Sequence, residues 1–433
     1  MRCCLVLLSL AGSLMFSACD DDMPKSAPAQ AIEPAIKQTP VPAAQPASSD
    51  PLWPRWSGPA GDMISRETGW NSNWNQTPPK VVWQAEIGTG FSSVSVDRDH
   101  LYTMGNVGGK DFVYCLLVVN GEFAWKHSYE CGLVDNLHEG GPSATPTIDE
   151  DRVFTVSKEG HLFCCDALKG DVLWSGHLQK ITGTDHPEWG FTCSPLVLDE
   201  KLIIEAGRVV AINKKTGKTI WKSKTGYRPG YGSPVVFDHH GQQLIAVLNN
   251  DGVLVVRLAD GGEVAFYEWE TSFATNSTTP IVVDNTIYIS TGYHRGCTLL
   301  RLDGNTLESI YENRKMRNHF NNSVLWKGYL YGVDGNSHNP RVCQIVCMNF
   351  ETGEQLWGHR GFGCGSVMIA DEKLLILSGS GELVLAELNP AEFKEIGRVR
   401  VLDGRCWTVP VLANGRIYCR NAAGNLVCVD VSQ

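Results

Sequence analysis

The chain has 433 residues, 43% of them hydrophobic, with 44 Gly, 13 Trp and 15 Cys, and a formal net charge of −10. That length can bury a large core. The acidic balance, with no Lys/Arg cluster, excludes nucleic acid as a partner.

Met1-Arg2 and the apolar run from Leu5 to Phe16 read as a secretory signal over residues 1–18, too short to span a bilayer. The run ends in Phe16-Ser17-Ala18-Cys19, which resembles the lipobox of bacterial lipoproteins and implies lipidation at Cys19. Loss of residues 1–18 removes Arg2 and takes the charge from −10 to −11. Residues 19–52, rich in Pro, Ala, Gln and Ser without periodicity, predict a disordered tether. The expected location is the bacterial envelope, periplasm-facing, with membrane attachment through the lipid alone.

From residue 53 onward the chain repeats. Four segments run from a strand through a Gly-containing turn to a Trp four residues after the Gly: Gly121 to Trp125, Gly170 to Trp174, Gly217 to Trp221 and Gly353 to Trp357. Trp125 to Trp174 is 49 residues and Trp174 to Trp221 is 47. A small or polar pair leading into an apolar run recurs eight times, at Ser92-Ser93, Thr145-Pro146, Ser194-Pro195, Ser233-Pro234, Thr279-Pro280, Ser323-Val324, Ser366-Val367 and Val409-Pro410. Turns such as Asn250-Asp251-Gly252 join the strands as hairpins, Gly supplying positive φ. Repeats of this length made of short strands predict an all-β, eight-bladed propeller over 53–433, each blade a four-stranded antiparallel sheet with the Trp on its outer strand. Some units have drifted: Phe266 is taken for the Trp position after Gly262, Tyr311 serves the fifth unit, and the seventh lacks the aromatic. The eighth ends at Leu426–Asp430 with no fourth strand behind it. Residues 79–84 can supply that strand and close the ring, leaving no open edge.

Twelve cysteines remain beyond Cys3, Cys4 and Cys19, most within strands, where they read as small buried apolar residues. Cys419 and Cys428 flank the Ala423-Gly424 turn symmetrically, so a disulfide between them is expected. Lys214-Lys215, in an outer turn, is expected to be a solvated charge pair.

The repeat A-x-D-x-x-T-G-x-x-x-W, best matched by Ala211–Trp221 and Cys347–Trp357, resembles the pyrroloquinoline-quinone-type (PQQ-like) propeller repeat. The opening Trp53-Pro54-Arg55-Trp56-Ser57-Gly58-Pro59 is similar to a motif preceding many bacterial propellers of this kind. The resemblance implies two functional branches. One is the quinoprotein alcohol dehydrogenases, which hold the quinone and a calcium ion where the loops converge. The other is non-catalytic envelope propellers such as BamB of the outer-membrane β-barrel assembly machine. The repeat reports packing and does not separate them. Carboxylates are sparse in the loops joining successive blades (Glu139, Asp185 and Asp403), and no haem motif C-x-x-C-H is present. The adjacent pair Cys164-Cys165 lies within a strand, the wrong place for a disulfide covering a quinone. The sequence therefore favours a scaffold binding an envelope protein or peptide, a role that the BamB resemblance places in outer-membrane protein assembly, with no catalytic residue, metal ligand or cofactor assigned. PQQ and calcium belong to the dehydrogenase alternative. The binding mouth is expected at Trp189, Arg228, Arg317, Asn318, His319 and Trp407, aromatic and cationic anchors with amide neighbours.

Overall fold

The computed structural model describes residues 52–433, so the signal, Cys19 and nearly all of the tether lie outside the described residues. Seven four-stranded antiparallel sheets follow one another over residues 95–130, 147–177, 196–222, 235–268, 281–313, 324–360 and 366–400, and are numbered here as blades 1 to 7. The eighth sheet joins the strands of residues 411–430 to Lys80–Glu86, which runs antiparallel to Asn425–Asp430 with Trp83 opposite Cys428. Strands are lettered A to D from the ring axis outward. The protein is thus an eight-bladed, all-β propeller.

The small polar pairs mark the starts of the inner A strands and hand hydrogen bonds from blade to blade. Ser95 Oγ donates to the Pro146 carbonyl. Thr145 N donates to Ser194 Oγ at 2.9 Å, Ser194 N to Ser233 Oγ at 3.0 Å and Ser233 N to Thr279 Oγ1 at 3.2 Å. Thr279 N reaches Asn322 Oδ1 at 3.1 Å, Asn321 donates to the Gly365 carbonyl, and Ser366 Oγ donates to the Thr408 carbonyl at 3.0 Å. Thr408 Oγ1 then returns to Phe91 O, at the start of blade 1, at 3.2 Å. Short hydroxyls suit this belt because strand A is the most crowded position in each sheet and its backbone groups facing the axis still need partners.

The tryptophans bolt neighbouring blades together at the outer radius. Trp83, Trp125, Trp174, Trp221 and Trp357 each donate Nε1 to a carbonyl of the next blade, those of Val118, Ala167, Lys214, Leu258 and Asn389, at 2.7–3.1 Å. Tyr311 does the same through its hydroxyl to Phe350 O at 2.9 Å. The indole of Trp83 also covers Gly121, whose φ is +75° and where a Cβ would come within 2.5 Å of the ring. This explains the Gly in the turn: it meets the left-handed backbone and yields its side-chain space to the preceding blade's Trp. Opposite the Trp residues across strands C and D stand Cys115, Cys164, Cys347 and Cys428, in the place Ala211 takes in blade 3. These cysteines are packing residues.

Three expectations are corrected. In blade 4 the positive-φ glycine is Gly261, and the residue four later, in register with the Trp positions, is Ala265; Phe266 faces the other way, is exposed, and stacks on Tyr227 at 4.7 Å. Cys419 pairs opposite Val427 and Cys428 opposite Tyr418, one residue away from the assumed register, so the two thiols lie on opposite faces of the sheet and are free. Lys214 is buried, its Nζ 2.6 Å from Asp149 of blade 2, whereas Lys215 is exposed.

The segment before Lys80 is tied across the underside of the ring. Trp53 pairs its backbone with Val96 of blade 1, Pro54 O accepts from Ile148 N of blade 2, and Trp56 Nε1 donates to Thr279 Oγ1 of blade 5 at 3.0 Å. Ile64–Ser65 then adds a parallel strand to blade 7 beside Ile369 and Ala370. Blade 7 has Gly397 at its Trp position, and the side chain of Trp74 from this same segment fills that space.

Candidate functional site

The ring axis opens on the side of the D-to-A and B-to-C loops into a cavity of about 430 Å³. Trp56 and Met63 form part of its lining from the underside, so the channel is a cup with a floor. The opening Trp-Pro-Arg-Trp motif supplies that floor.

Its wall is a nearly continuous band of rings. Trp189 meets His138 at 5.5 Å, His138 meets Phe91 at 5.6 Å, and Phe91 stacks on Trp407 at 5.5 Å. Trp407 meets Phe320 at 4.4 Å, Phe320 meets His319 at 4.9 Å, and His319 meets Tyr293 edge-on at 4.8 Å. Arg405 lies over Trp407, 4.4 Å from the ring, and ion-pairs with Glu139 at 2.7 Å.

The electrostatics are close to neutral. Burial holds the His319 and His138 imidazoles down at about 4, with neighbouring imidazoles or cations adding to it, so both are uncharged at neutral pH. His138 Nδ1 accepts from Gly140 N at 2.9 Å and His319 Nδ1 from Ser337 N at 3.3 Å, which leaves each Nε2 carrying the proton. Lys158 is buried, bonded to Trp189 O at 2.7 Å, and pushed down to about 7 by desolvation. Trp189 Nε1 is buried without a partner. The cup therefore presents aromatic faces with a few N–H donors, a surface for an apolar or aromatic group carrying acceptors.

Of the six residues expected at the mouth, Trp189, His319 and Trp407 line the cup together. The other three are engaged elsewhere. Arg317 grips the buried Asp334 with Nε and Nη2, both at 2.7 Å. Asn318 is buried between blades 5 and 6, bonded to Val333 O, Ser290 Oγ and Ser323 Oγ. Arg228 is half-exposed and paired with Asp251 and Glu270. Phe91, His138, Tyr293, Phe320 and Lys158 were missed. The ring stacking that joins them links residues hundreds of positions apart, and no local pattern marks it.

The calcium ion of the dehydrogenase branch finds no carboxylate ligands in this cup. A hard divalent cation takes six to eight oxygens, carboxylates among them. No Asp or Glu is among the described residues lining the cavity, and Glu139 at the rim is held by Arg405.

Fold and cup together define an eight-bladed propeller of PQQ-like repeats, floored by its own N-terminal segment. The chain belongs to the family described as outer membrane protein assembly factor BamB, which matches residues 62–306 and, overlapping, 120–358. Among solved structures it is similar to BamB from Moraxella catarrhalis, at 15% identity and a TM-score of 0.58 over 81% of this chain and 99% of that one. It is also similar to a europium-containing methanol dehydrogenase, at 11% identity and a TM-score of 0.65 over 86% and 96% of the two chains. Identities this low show the fold alone. In sequence it is 22% identical over 236 residues to the tetrathionate hydrolase of Acidithiobacillus ferrooxidans, covering 51% of this chain and 45% of the hydrolase. It thus spans less than half the length of that curated relative.

Proposed function

We propose that the protein is a non-catalytic binding scaffold of the bacterial cell envelope that holds a segment of an envelope protein in its floored cup. The observation that carries this is the lining: a belt of aromatic rings and neutral imidazoles over a Trp-Met floor, with no carboxylate for general-base or cation chemistry. The BamB family membership and the signal-like N-terminus support the envelope setting. Large, rigid aromatics at a concave mouth suit side chains of an extended peptide.

The test selects peptides from a displayed random library on the purified chain, then measures their affinity by tryptophan fluorescence. Trp407→Ala and Phe320→Ala should each weaken binding about 30-fold, as expected for an anchor worth about 2 kcal/mol, while Lys215→Ala changes nothing. A parallel arm offers pyrroloquinoline quinone, calcium and an alcohol with a reporter dye. Saturable quinone binding with dye reduction, or peptides that bind all three variants equally, would overturn the proposal.

A further inference from the structure

Beside the cup, between blades 1 and 2, lies a cluster that peptide binding does not use. Cys131 directly follows the outer strand Phe123–Glu130 of blade 1, and Glu159 and His161 flank Gly160 in the B-to-C hairpin of blade 2. One donor atom from each of the three lies within 4.8 Å of the other two. Gly132 N donates to Glu159 Oε1 at 3.1 Å, and Ser157 Oγ sits 3.1 Å from His161 Nδ1, which orients the ring and leaves Nε2 to ligate.

A second observation points to a missing partner. Asp111, on strand C of blade 1, is 1% exposed, and its carboxyl lies against the Cys131 thiol. Its Oδ1 accepts from Asn106 Nδ2 at 2.7 Å, and the Cys131 S–H is the donor that faces the carboxyl. His127 Nε2 and His177 Nδ1 are buried without partners, in rings packed around this spot; His177 stands 5.1 Å from His161. Protein interiors pair nearly all such atoms, so orphans gathered around one thiol need an explanation.

We propose that Cys131, Glu159 and His161 bind a zinc ion, with water as the fourth ligand and the Asp111 carboxyl behind the Cys131 thiol as its outer partner. A thiol, an imidazole and a carboxylate offer the mixed S, N and O donors that a four-coordinate zinc site takes, and the thiol argues against calcium or magnesium. On binding, Cys131 gives its proton to solvent and ligates as thiolate. The Cys131 thiolate and the Glu159 carboxylate together balance the charge of Zn²⁺. The ion would staple the loop after blade 1 to the blade 2 hairpin. That loop carries Leu137 and His138 into the cup, so the metal holds one wall of the binding site.

The untagged full-length chain, stripped with chelator, is titrated with Co²⁺ alone and then with Zn²⁺. One Co²⁺ per chain, an intense thiolate-to-cobalt band, its loss on Zn²⁺ addition and a zinc-dependent rise in Tm are expected. Cys131→Ser should abolish the band, and Asp111→Asn should weaken binding tenfold or more. Cys347→Ser, at a packing position in blade 6, should change neither. Should Cys131→Ser fail to fold, Glu159→Gln, which keeps an acceptor for Gly132 N, should still lower zinc affinity at least tenfold with an unchanged circular dichroism spectrum. No saturable binding at micromolar metal, or equal binding by wild type and Glu159→Gln, overturns the site.

Discussion

Trp83 and Gly121 test how the ring is held, because they form the bolt between the eighth blade and the first. Trp83 is 8% exposed, and its indole covers Gly121 and leans on Tyr418 at 5.9 Å. Trp83→Ala should cost about 3–5 kcal/mol, the usual range for emptying an aromatic site. Loss of the hydrogen bond adds little, since Val118 O still accepts from Arg416. Gly121→Ala carries two penalties. The left-handed backbone at φ +75° costs about 1–2 kcal/mol, and a methyl 2.5 Å from the Trp83 ring adds about 1–3 kcal/mol of overpacking. In the double variant the second penalty vanishes with the indole. Trp83→Ala/Gly121→Ala should therefore be about 1–3 kcal/mol more stable than the sum of the singles. Urea unfolding followed by circular dichroism gives all four corners of the cycle. Additivity within about 0.5 kcal/mol would refute the contact.

Two further outcomes follow from groups at and near the mouth. Arg317→Ala leaves the buried Asp334 carboxylate unpaired and should cost about 3–5 kcal/mol of stability in urea, with peptide affinity unchanged; a loss of affinity without a loss of stability would restore Arg317 to the binding surface. Folding holds His319 at about 4 against an ordinary 6.5, so the unfolded chain takes up a proton that the folded one refuses as pH falls through that window. Stability should drop between pH 6.5 and 4 by at most about 3 kcal/mol from this residue and be unaffected by it below that range. His319→Gln should flatten that part of the curve, and a shift of equal size at every pH would show that the imidazole's proton is not responsible.

The propeller was legible because its repeat is regular in spacing: the Gly-to-Trp step recurs four times and the small polar pairs eight, each doing one local job. Where a blade departs, local reading slips. At Gly261-Gly262 two glycines offered two registers, which the positive φ of Gly261 and the Trp221 indole lying against it distinguish. The Asn421–Gly424 turn moved the strand pairing by one residue, enough to place Cys419 and Cys428 on opposite faces. The cup was half legible. Trp189, His319 and Trp407 announce themselves as large groups in loops, but Arg317 and Asn318 look the same in sequence and are consumed by Asp334 and Val333. Whether a loop cation points to the axis or to its own hairpin depends on a partner seventeen residues away, outside any motif.

The arrangement of the eighth blade also dictates an order of events. Lys80–Glu86 can find its neighbour only after Asn425–Asp430 exists, some three hundred and forty residues later in synthesis. A chain still being synthesised would hold seven sheets' worth of strands with both terminal edges bare. Closing so distant a pair is slow and entropically costly. Until the last strand is delivered, Val81 and Val82 and the sheet edge beside them form a sticky surface. The vulnerable species in this protein's life is therefore the almost finished one, and truncations of even the last ten residues should be cleared by proteases or aggregate rather than persist as a seven-bladed fragment.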